Sequence, residues 1–105
     1  MSSEGQGVGA VIFGEFALAS GQWFPWHRHP QHQLAWTPRA VLTVQVGDAH
    51  WVLPPTRALW LPAGVGHRTG APKHTVLRGI YADPRRCPMR WTEPTMVAVP
   101  PLQTS

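Results

Sequence analysis

Glycine and proline interrupt this chain so often that it favours short strands over helices. The 105 residues include 10 glycines and 12 prolines, and proline removes a backbone donor and breaks helices. No helical period of useful length is present, yet 43% of the residues are hydrophobic, too many for a disordered chain. The pattern predicts an all-β domain of roughly seven to ten short strands joined by turns.

The clearest single element is a hairpin. Leu42, Val44 and Val46 alternate with polar residues, Gly47-Asp48 forms a natural tight turn, and the strand returns over residues 49–53. Other strands are predicted at 11–13, 16–18, 22–27, 57–61, 75–82 and, interrupted at a proline, 89–99. Strands spaced this closely build sandwiches and jelly-roll barrels, which enclose a cavity of their own.

The chain length suits one domain with a single core. Residues 1–9 are small, polar and glycine-rich, which predicts a flexible N-terminal segment ahead of a barrel domain over residues 10–105. We expect most of the 6 tryptophans to lie in the core, because each ring buries a large apolar area.

Charge and cysteine content restrict the partners and the compartment. The formal net charge is +4, but the arginines are scattered along the chain, which predicts surface charge for solubility rather than a stripe that binds nucleic acid. No apolar run is long enough for a membrane span, and no signal-peptide pattern opens the chain. Cys87 has no cysteine partner within the sequence, which agrees with a reducing compartment. We therefore expect a cytoplasmic protein.

Two histidine-bearing segments contain the candidate site residues. In an extended strand, His27, His29 and Gln33 would share one face and His32 would point to the other. His67 follows a glycine turn some thirty residues later and can join them from a separate strand. Because imidazole nitrogens bind Zn, Cu, Ni or Fe at about 2.0 to 2.1 Å, these four side chains form a candidate metal site.

The same side chains have a second interpretation, because no carboxylate accompanies them to offset the charge of a metal ion. They could instead form the polar floor of a cup that binds an organic ligand. Trp23 has the same parity as His27 and is the candidate for a ligand-binding wall of that cup. Pro25 and Pro30 cannot donate ladder hydrogen bonds, so this segment should lie at an edge, a bulge or a strand end.

The two segments resemble the two motifs of the cupin superfamily, His-x-His followed by Glu and then Pro-x-Gly-x-x-His. His27, His29 and His67 match the histidines of that pattern, and Gln33 stands in place of the glutamate. The resemblance implies a small jelly-roll cupin barrel and a divalent transition metal, Zn, Ni, Cu or Fe. The glutamine weakens the expectation of a metal without removing it.

A closer resemblance extends over nearly all of the chain after Val11. It is to the N-terminal, effector-sensing cupin domain of AraC-type transcriptional regulators. The segments that support it are HRHPQHQLAW, VLTVQVGDAHWVLPP, RALWLPAGVGHR and LRGIYADP. The resemblance implies a small-molecule effector and a role in transcription regulation. The DNA-binding domain of that family does not follow in this sequence, so we expect no direct nucleic-acid binding.

Three functions are compatible with these residues. The first is a sensory domain that binds a small molecule or a metal. The second is a small metal-dependent cupin enzyme, dioxygenase-like or isomerase-like, which lacks an obvious general acid or base. The third is a structural or dimerisation piece with a decayed site. Apolar strand edges and the segment 96–102 also predict a homodimer.

Overall fold

The computed structural model describes residues 11–100 of the chain. The predicted flexible segment at 1–9 and the end of the apolar segment 96–102 lie outside the described residues. Within residues 11–100 the structure has eight strands and no helix, and so no helix that could cross a membrane. The strands are β1 Val11–Leu18, β2 His32–Trp36, β3 Leu42–Val46, β4 Ala49–Leu53, β5 Arg57–Leu61, β6 Arg68–Gly70, β7 Thr75–Ala82 and β8 Thr95–Ala98.

The strands form two antiparallel sheets that face each other. The larger sheet has the order β1-β7-β2-β5-β8, and the smaller has the order β4-β3-β6. Neighbours within each sheet are distant in sequence except for β3 and β4, as in a jelly roll. The predicted all-β fold is confirmed.

The core lies between the inward faces of the two sheets. The hairpin contributes Leu42 and Val44 from β3 and Leu53 from β4, all fully buried. The larger sheet contributes the alternate residues Leu59 and Leu61 of β5. Alternation along β3 places one apolar row inward, as the period-2 pattern requires, whereas β5 is buried on both faces.

The hairpin matches its prediction closely. β3 and β4 pair from Leu42 opposite Leu53 to Val46 opposite Ala49. Gly47 in the turn has a φ of 57°, a left-handed conformation that glycine adopts without steric cost. The hairpin could be predicted because both its strands and its turn are local in sequence.

The strands predicted at 57–61 and 75–82 have those bounds in the structure, and the remaining predicted strands change theirs. The two short runs at 11–13 and 16–18 are one strand, β1. The run at 22–27 makes only isolated bridges, at Trp23 and His27, and the last predicted strand shortens to β8. β6 was not predicted, because three residues around Thr69 give too short a pattern to recognise.

The tryptophans lie nearer the surface than expected. Among the described residues only Trp60 is buried, whereas Trp23, Trp26 and Trp91 are 38%, 48% and 45% exposed. The Arg68 guanidinium lies over the ring of Trp23 at 4.4 Å and near Trp26 at 5.4 Å. The expectation that most tryptophans form the core was wrong: Trp23 and Trp26 pack on Arg68 at the surface, and Trp91 packs on the edge of Trp60.

Candidate functional site

Three histidine rings meet beside a cavity of the barrel. One ring nitrogen from each of His27, His29 and His67 lies within 4.8 Å of the others. Three atoms so placed share a point within about 2.8 Å of each, so small ring rotations would bring all three to the distance that a metal ion requires. The described residues therefore include a three-histidine cluster that allows a metal ion.

The two strand segments that hold these rings are hydrogen-bonded to each other. The His27 N–H donates to the His67 carbonyl, and the His67 N–H donates to the His27 carbonyl, each at 3.0 Å. The Gly64 N–H also donates to the His29 carbonyl at 2.9 Å, and Gly64 has a φ of 82°. The glycine turn predicted from the sequence thus fixes the two motifs against each other.

Backbone carbonyls orient all three rings in the same sense. The Nδ1 atoms lie 3.0 Å from the Pro25 oxygen for His27, 3.0 Å from the Gln31 oxygen for His29 and 2.9 Å from the Val65 oxygen for His67. A carbonyl oxygen only accepts, so each Nδ1 has the proton and donates. Each Nε2 is then left with a free lone pair, the arrangement by which metal-binding histidines are commonly held.

Burial keeps the innermost ring neutral. The pKa of His67 is lowered from 6.5 to about 4, mainly by loss of solvent. The hydrogen bond to the Val65 carbonyl opposes this shift, and the nearby His27 and His29 add smaller lowering effects. His67 is fully buried, whereas His29 is half-buried and His27 is exposed. A neutral ring is the form that binds a metal ion, so no proton competes at His67 near neutral pH.

Gln33 lies beside the histidine cluster, between His29 and Tyr81. Its Oε1 is 3.0 Å from Nε2 of His29, and its Nε2–H donates to the Tyr81 hydroxyl at 3.2 Å. With the His29 proton on Nδ1, the lone pair of His29 Nε2 faces a lone pair of Gln33 Oε1, and neither atom has a proton to donate. A cation bound by both atoms would satisfy both lone pairs. Without a cation, the amide can turn over, donate to His29 and accept from Tyr81, because a hydroxyl both donates and accepts.

A cavity of about 340 Å³ opens beside the cluster. Its polar side is formed by histidines and Gln33, and its remaining wall is largely apolar. The lining residues are Phe16, Phe24, Pro25, His27, Gln33, His67, Thr69, Leu77 and Tyr81. The size and the mixed lining are those of a site for a small organic molecule.

Two paired glycines make room for the aromatic wall. Gly14 of β1 lies opposite Gly79 of β7. A Cβ on Gly14 would lie 2.9 Å from the ring of Phe16, and a Cβ on Gly79 would lie 2.9 Å from the ring and hydroxyl of Tyr81. Both rings therefore fold back over the glycine pair and extend across the cavity side of the sheet.

His32 lies apart from the cluster, as its parity predicted. It is buried at 8% exposure, its ring is 4.9 Å from the ring of Trp60, and its Nδ1 accepts the Ala63 N–H at 3.0 Å. His32 is therefore a packed core histidine that is protonated on Nε2, whereas the site histidines are protonated on Nδ1.

A one-residue bulge separates Trp23 from the cavity. Trp23 pairs with Gly70 and His27 pairs with His67, so this segment has one residue more than its partner across the Pro25 position. His27 consequently faces the cavity, whereas Trp23 packs over Gly70 beside Arg68. The equal parity of Trp23 and His27 does not place them on one face. Trp23 is not among the lining residues, and its role in ligand binding stays a prediction.

The sequence analysis missed Tyr81 and the two phenylalanines of the wall. Tyr81 reaches the site because β7 pairs with β2 so that Tyr81 lies opposite Gln33, and such long-range pairing has no local pattern. A signal existed in the repeated Gly-x-aromatic order at Gly14–Phe16 and Gly79–Tyr81. Loss of solvent raises the pKa of Tyr81, so this residue stays a neutral hydrogen-bonding phenol.

Comparison with known proteins agrees with the motifs. The family model of the AraC-like ligand binding domain matches residues 9–101. The HTH-type transcriptional regulator NimR of Escherichia coli (strain K12) is 31% identical over 68 residues, which cover 65% of this chain and 25% of the regulator. The chain thus spans about a quarter of that relative's length.

Solved structures give the same fold. A cupin superfamily protein from Desulfitobacterium hafniense DCB-2 has a TM-score of 0.66 at 17% identity, over 78% of this chain and 82% of that protein. A cupin-2 domain containing protein from Shewanella frigidimarina NCIMB 400 has a TM-score of 0.63 at 18% identity, over 71% and 72%. The resemblances inferred from the motifs are confirmed, and the fold is that of a small jelly-roll cupin.

Proposed function

The chain belongs to the family of AraC-like ligand-binding domains, and from this we propose that it is the effector-sensing part of a transcriptional regulator. Its cup would hold a divalent transition metal on His27, His29 and His67, with Gln33 as a further donor. A small molecule would then bind in the adjoining cavity. The observation that supports the metal most directly is that backbone carbonyls accept from Nδ1 of all three rings, which leaves each Nε2 unprotonated.

The residues present fit such an ion. Neutral imidazoles and an amide oxygen suit Zn, Ni, Cu or Fe better than Mg or Ca. The exposed side of His27 leaves the site open towards the cavity, so the ion would keep a coordination position for a ligand. When bound, the ion would supply Lewis acidity and a fixed positive charge. The chain itself would orient the rings and surround the ligand.

Metal analysis of the purified protein tests this proposal. After chelator treatment and reloading with Zn²⁺, we expect about one ion per chain in the wild type and its loss in the double variant His27→Ala/His67→Ala. The matched control is His50→Ala/His74→Ala, which removes two exposed histidines outside the cluster. His27→Ala alone removes an exposed ring, so it should fold and still lose the ion, which keeps the test valid if the double variant does not fold. Equal, substoichiometric metal in all four proteins would contradict the proposal.

A metal-dependent enzyme is the second candidate, because an ion held by the three histidines would face the cavity on the side of His27. Against it, none of the described residues that line the cavity is a carboxylate that could act as general acid or base. Glu15 is paired with Arg78 at 2.8 Å, and Asp83 contacts Arg85. Oxygen consumption by the Fe²⁺-loaded protein, lost in His67→Ala, would support the enzyme over the sensor.

We further propose a homodimer in the cytoplasm. Among the described residues 11–100, strand β1 lies at the edge of the larger sheet, and it exposes Val11, Ile12 and Phe13 at 54%, 64% and 57%. An edge strand with exposed apolar side chains pairs readily with a second copy of itself. The cytoplasmic location is supported by the lone Cys87.

A further inference from the structure

The cavity is polar at one end and apolar elsewhere. His27, His67 and Gln33 form one side, and the Tyr81 hydroxyl hydrogen-bonds to Gln33 at 3.2 Å on that side. Away from the histidines the lining includes Phe16 and other apolar side chains, namely Phe24, Pro25 and Leu77. A complementary ligand has one polar head, placed at the histidines, and an apolar body.

This wall is poorly suited to a sugar or another polyol. Gln33 donates to the Tyr81 oxygen, so the Tyr81 O–H and the Thr69 hydroxyl are the two hydroxyl donors left among the described lining residues. Each ligand hydroxyl buried without a partner costs about 1 to 3 kcal/mol. A molecule with hydroxyls around its whole perimeter would leave most of them unpaired against the phenylalanines.

The charge of the site selects the chemistry of the polar head. The donors of the proposed metal site are imidazoles and an amide, and none of the described residues that line the cavity is an aspartate, glutamate, lysine or arginine. A divalent ion held there would keep its full charge of +2. Since an uncompensated charge in a largely apolar cavity is costly, an anion is the ligand that completes such a site.

The available space limits the body of the ligand. A volume of about 340 Å³ lies at the low end of the range for small-molecule sites, about 300 to 1,000 Å³. The rings of Phe16 and Tyr81 extend side by side over the Gly14–Gly79 pair. Such a wall favours a compact planar body, which can pack against aromatic rings.

We infer that the ligand of this cup is a small organic anion, a carboxylate on a single aromatic ring or a comparably compact apolar body. Its oxygens would lie at the three-histidine side, and its body would lie against Phe16 and Phe24. The Tyr81 and Thr69 hydroxyls are the donors placed to bond the same head. This inference rests on the proposed metal site and adds to it the charge and shape of the ligand.

Calorimetry with the Co²⁺-loaded protein tests the inference, with benzoate, acetate and benzamide as the probes. Benzoate has both the charge and the ring, acetate the charge alone, and benzamide the ring alone. We expect benzoate to bind at least about tenfold more tightly than either of the others, a difference of about 1.4 kcal/mol. The visible absorption of Co²⁺ should change on addition of benzoate and acetate but not of benzamide.

A pair of matched variants locates the apolar body. Phe16 lines the cavity, and Phe13 lies on the opposite face of the same strand, 6.4 Å from the ring of Trp36. Phe16→Ala should remove most of the preference for benzoate over acetate, whereas Phe13→Ala should retain it. Equal binding of benzoate and benzamide, or of benzoate and acetate, would overturn the inference.

The Co²⁺ spectrum separates the two proposals. One outcome is that Co²⁺ binds to the wild type and not to His27→Ala/His67→Ala, while benzoate binds no more tightly than acetate or benzamide. In that case the proposed ligand class is wrong and the metal site stands. If Co²⁺ does not bind to the histidines at all, both proposals are contradicted.

Discussion

The free ring nitrogen distinguishes the site histidines from His32. In His27, His29 and His67 a carbonyl accepts from Nδ1, whereas in His32 a backbone N–H donates to Nδ1. Nε2 therefore has a lone pair in the three site histidines and a proton in His32. The spacing of the histidines along the sequence could predict which rings share a face. The tautomers could not be predicted, because they depend on main-chain geometry that a sequence pattern does not contain.

Gln33 is the residue at which a single change should strengthen the site. In Gln33→Glu a carboxylate replaces the amide oxygen, which lies 3.0 Å from Nε2 of His29, and it would offset part of the charge of a bound ion. We expect the Zn²⁺ affinity to rise at least about tenfold, or about 1.4 kcal/mol, measured by competition with a chromogenic chelator. Gln22→Glu places the same charge at an exposed position and should have little effect. Unchanged or weakened affinity in Gln33→Glu would count against Gln33 as a metal donor.

His67 should make the metal-free protein less stable in acid. Its pKa is about 4 in the folded state and 6.5 when unfolded, so the unfolded chain takes up the proton first as the pH falls. The free energy of unfolding is then unaffected by His67 above about pH 6.5, and it falls by about 2 to 3 kcal/mol on going down to about pH 4.5. Urea unfolding in the presence of chelator measures it.

His67→Gln and His74→Gln provide the comparison for this pH dependence. His67→Gln should flatten the fall between the two pH values, because no ring remains to be protonated. His74 is exposed, and His74→Gln should keep the wild-type slope. Equal slopes in the wild type and His67→Gln would show that burial of His67 does not control acid stability.

At the scale of strands, the two elements that shape the site are the bulge at Pro25 and the glycine pair. The prolines predicted an edge or bulge, and the structure has a bulge there. Its one-residue shift could not be predicted, because it depends on the pairing of Trp23 with Gly70 across the sheet. The Gly14–Gly79 pairing likewise depends on contact between β1 and β7. Local patterns predicted the hairpin and the motifs, and long-range pairing determined the walls.

Gly79→Ala should disturb the site while leaving the sheet in place. A Cβ at Gly79 would lie 2.9 Å from the Tyr81 hydroxyl, so the ring must move and its bond with Gln33 is lost. We expect the affinity for Zn²⁺ to fall several-fold and the free energy of unfolding to fall by about 1 to 2 kcal/mol. Calorimetry and urea unfolding measure the two effects.

Gly66→Ala is the matched control for this change. A Cβ at Gly66 would meet only the Arg28 guanidinium, at an ordinary contact distance of 3.5 Å. It should leave both the Zn²⁺ affinity and the unfolding free energy near wild type. If Gly66→Ala weakened the site as much as Gly79→Ala, displacement of Tyr81 would not be the cause.

At the scale of the molecule, the site joins the two sheets. Gln33 and Tyr81 belong to the larger sheet, and His67 directly precedes β6 of the smaller one. A metal ion or ligand bound here would contact both layers of the barrel. The jelly-roll class could be predicted from two features of the sequence. Closely spaced strands follow one another along the chain, and the two histidine motifs resemble those of the cupin superfamily.

The proposed dimer is also a property of the whole molecule. If two copies pair through β1, Ile12→Lys should yield a monomer, because it places a charge on an exposed apolar edge strand. Val52→Lys changes a residue of similar exposure, 55%, on β4 of the other sheet and should stay dimeric. Light scattering at high concentration measures the mass. A monomeric wild type, or dissociation by Val52→Lys alone, would contradict pairing through β1.

The central claim is that three imidazoles of this cup hold one metal ion. X-ray absorption spectroscopy of the Zn²⁺-loaded protein counts them directly. The structure predicts three imidazole ligands at about 2.0 to 2.1 Å with oxygen in the remaining positions, and loss of this signature in His27→Ala/His67→Ala. A spectrum with sulfur from Cys87, or with fewer than three imidazoles in the wild type, would contradict the account.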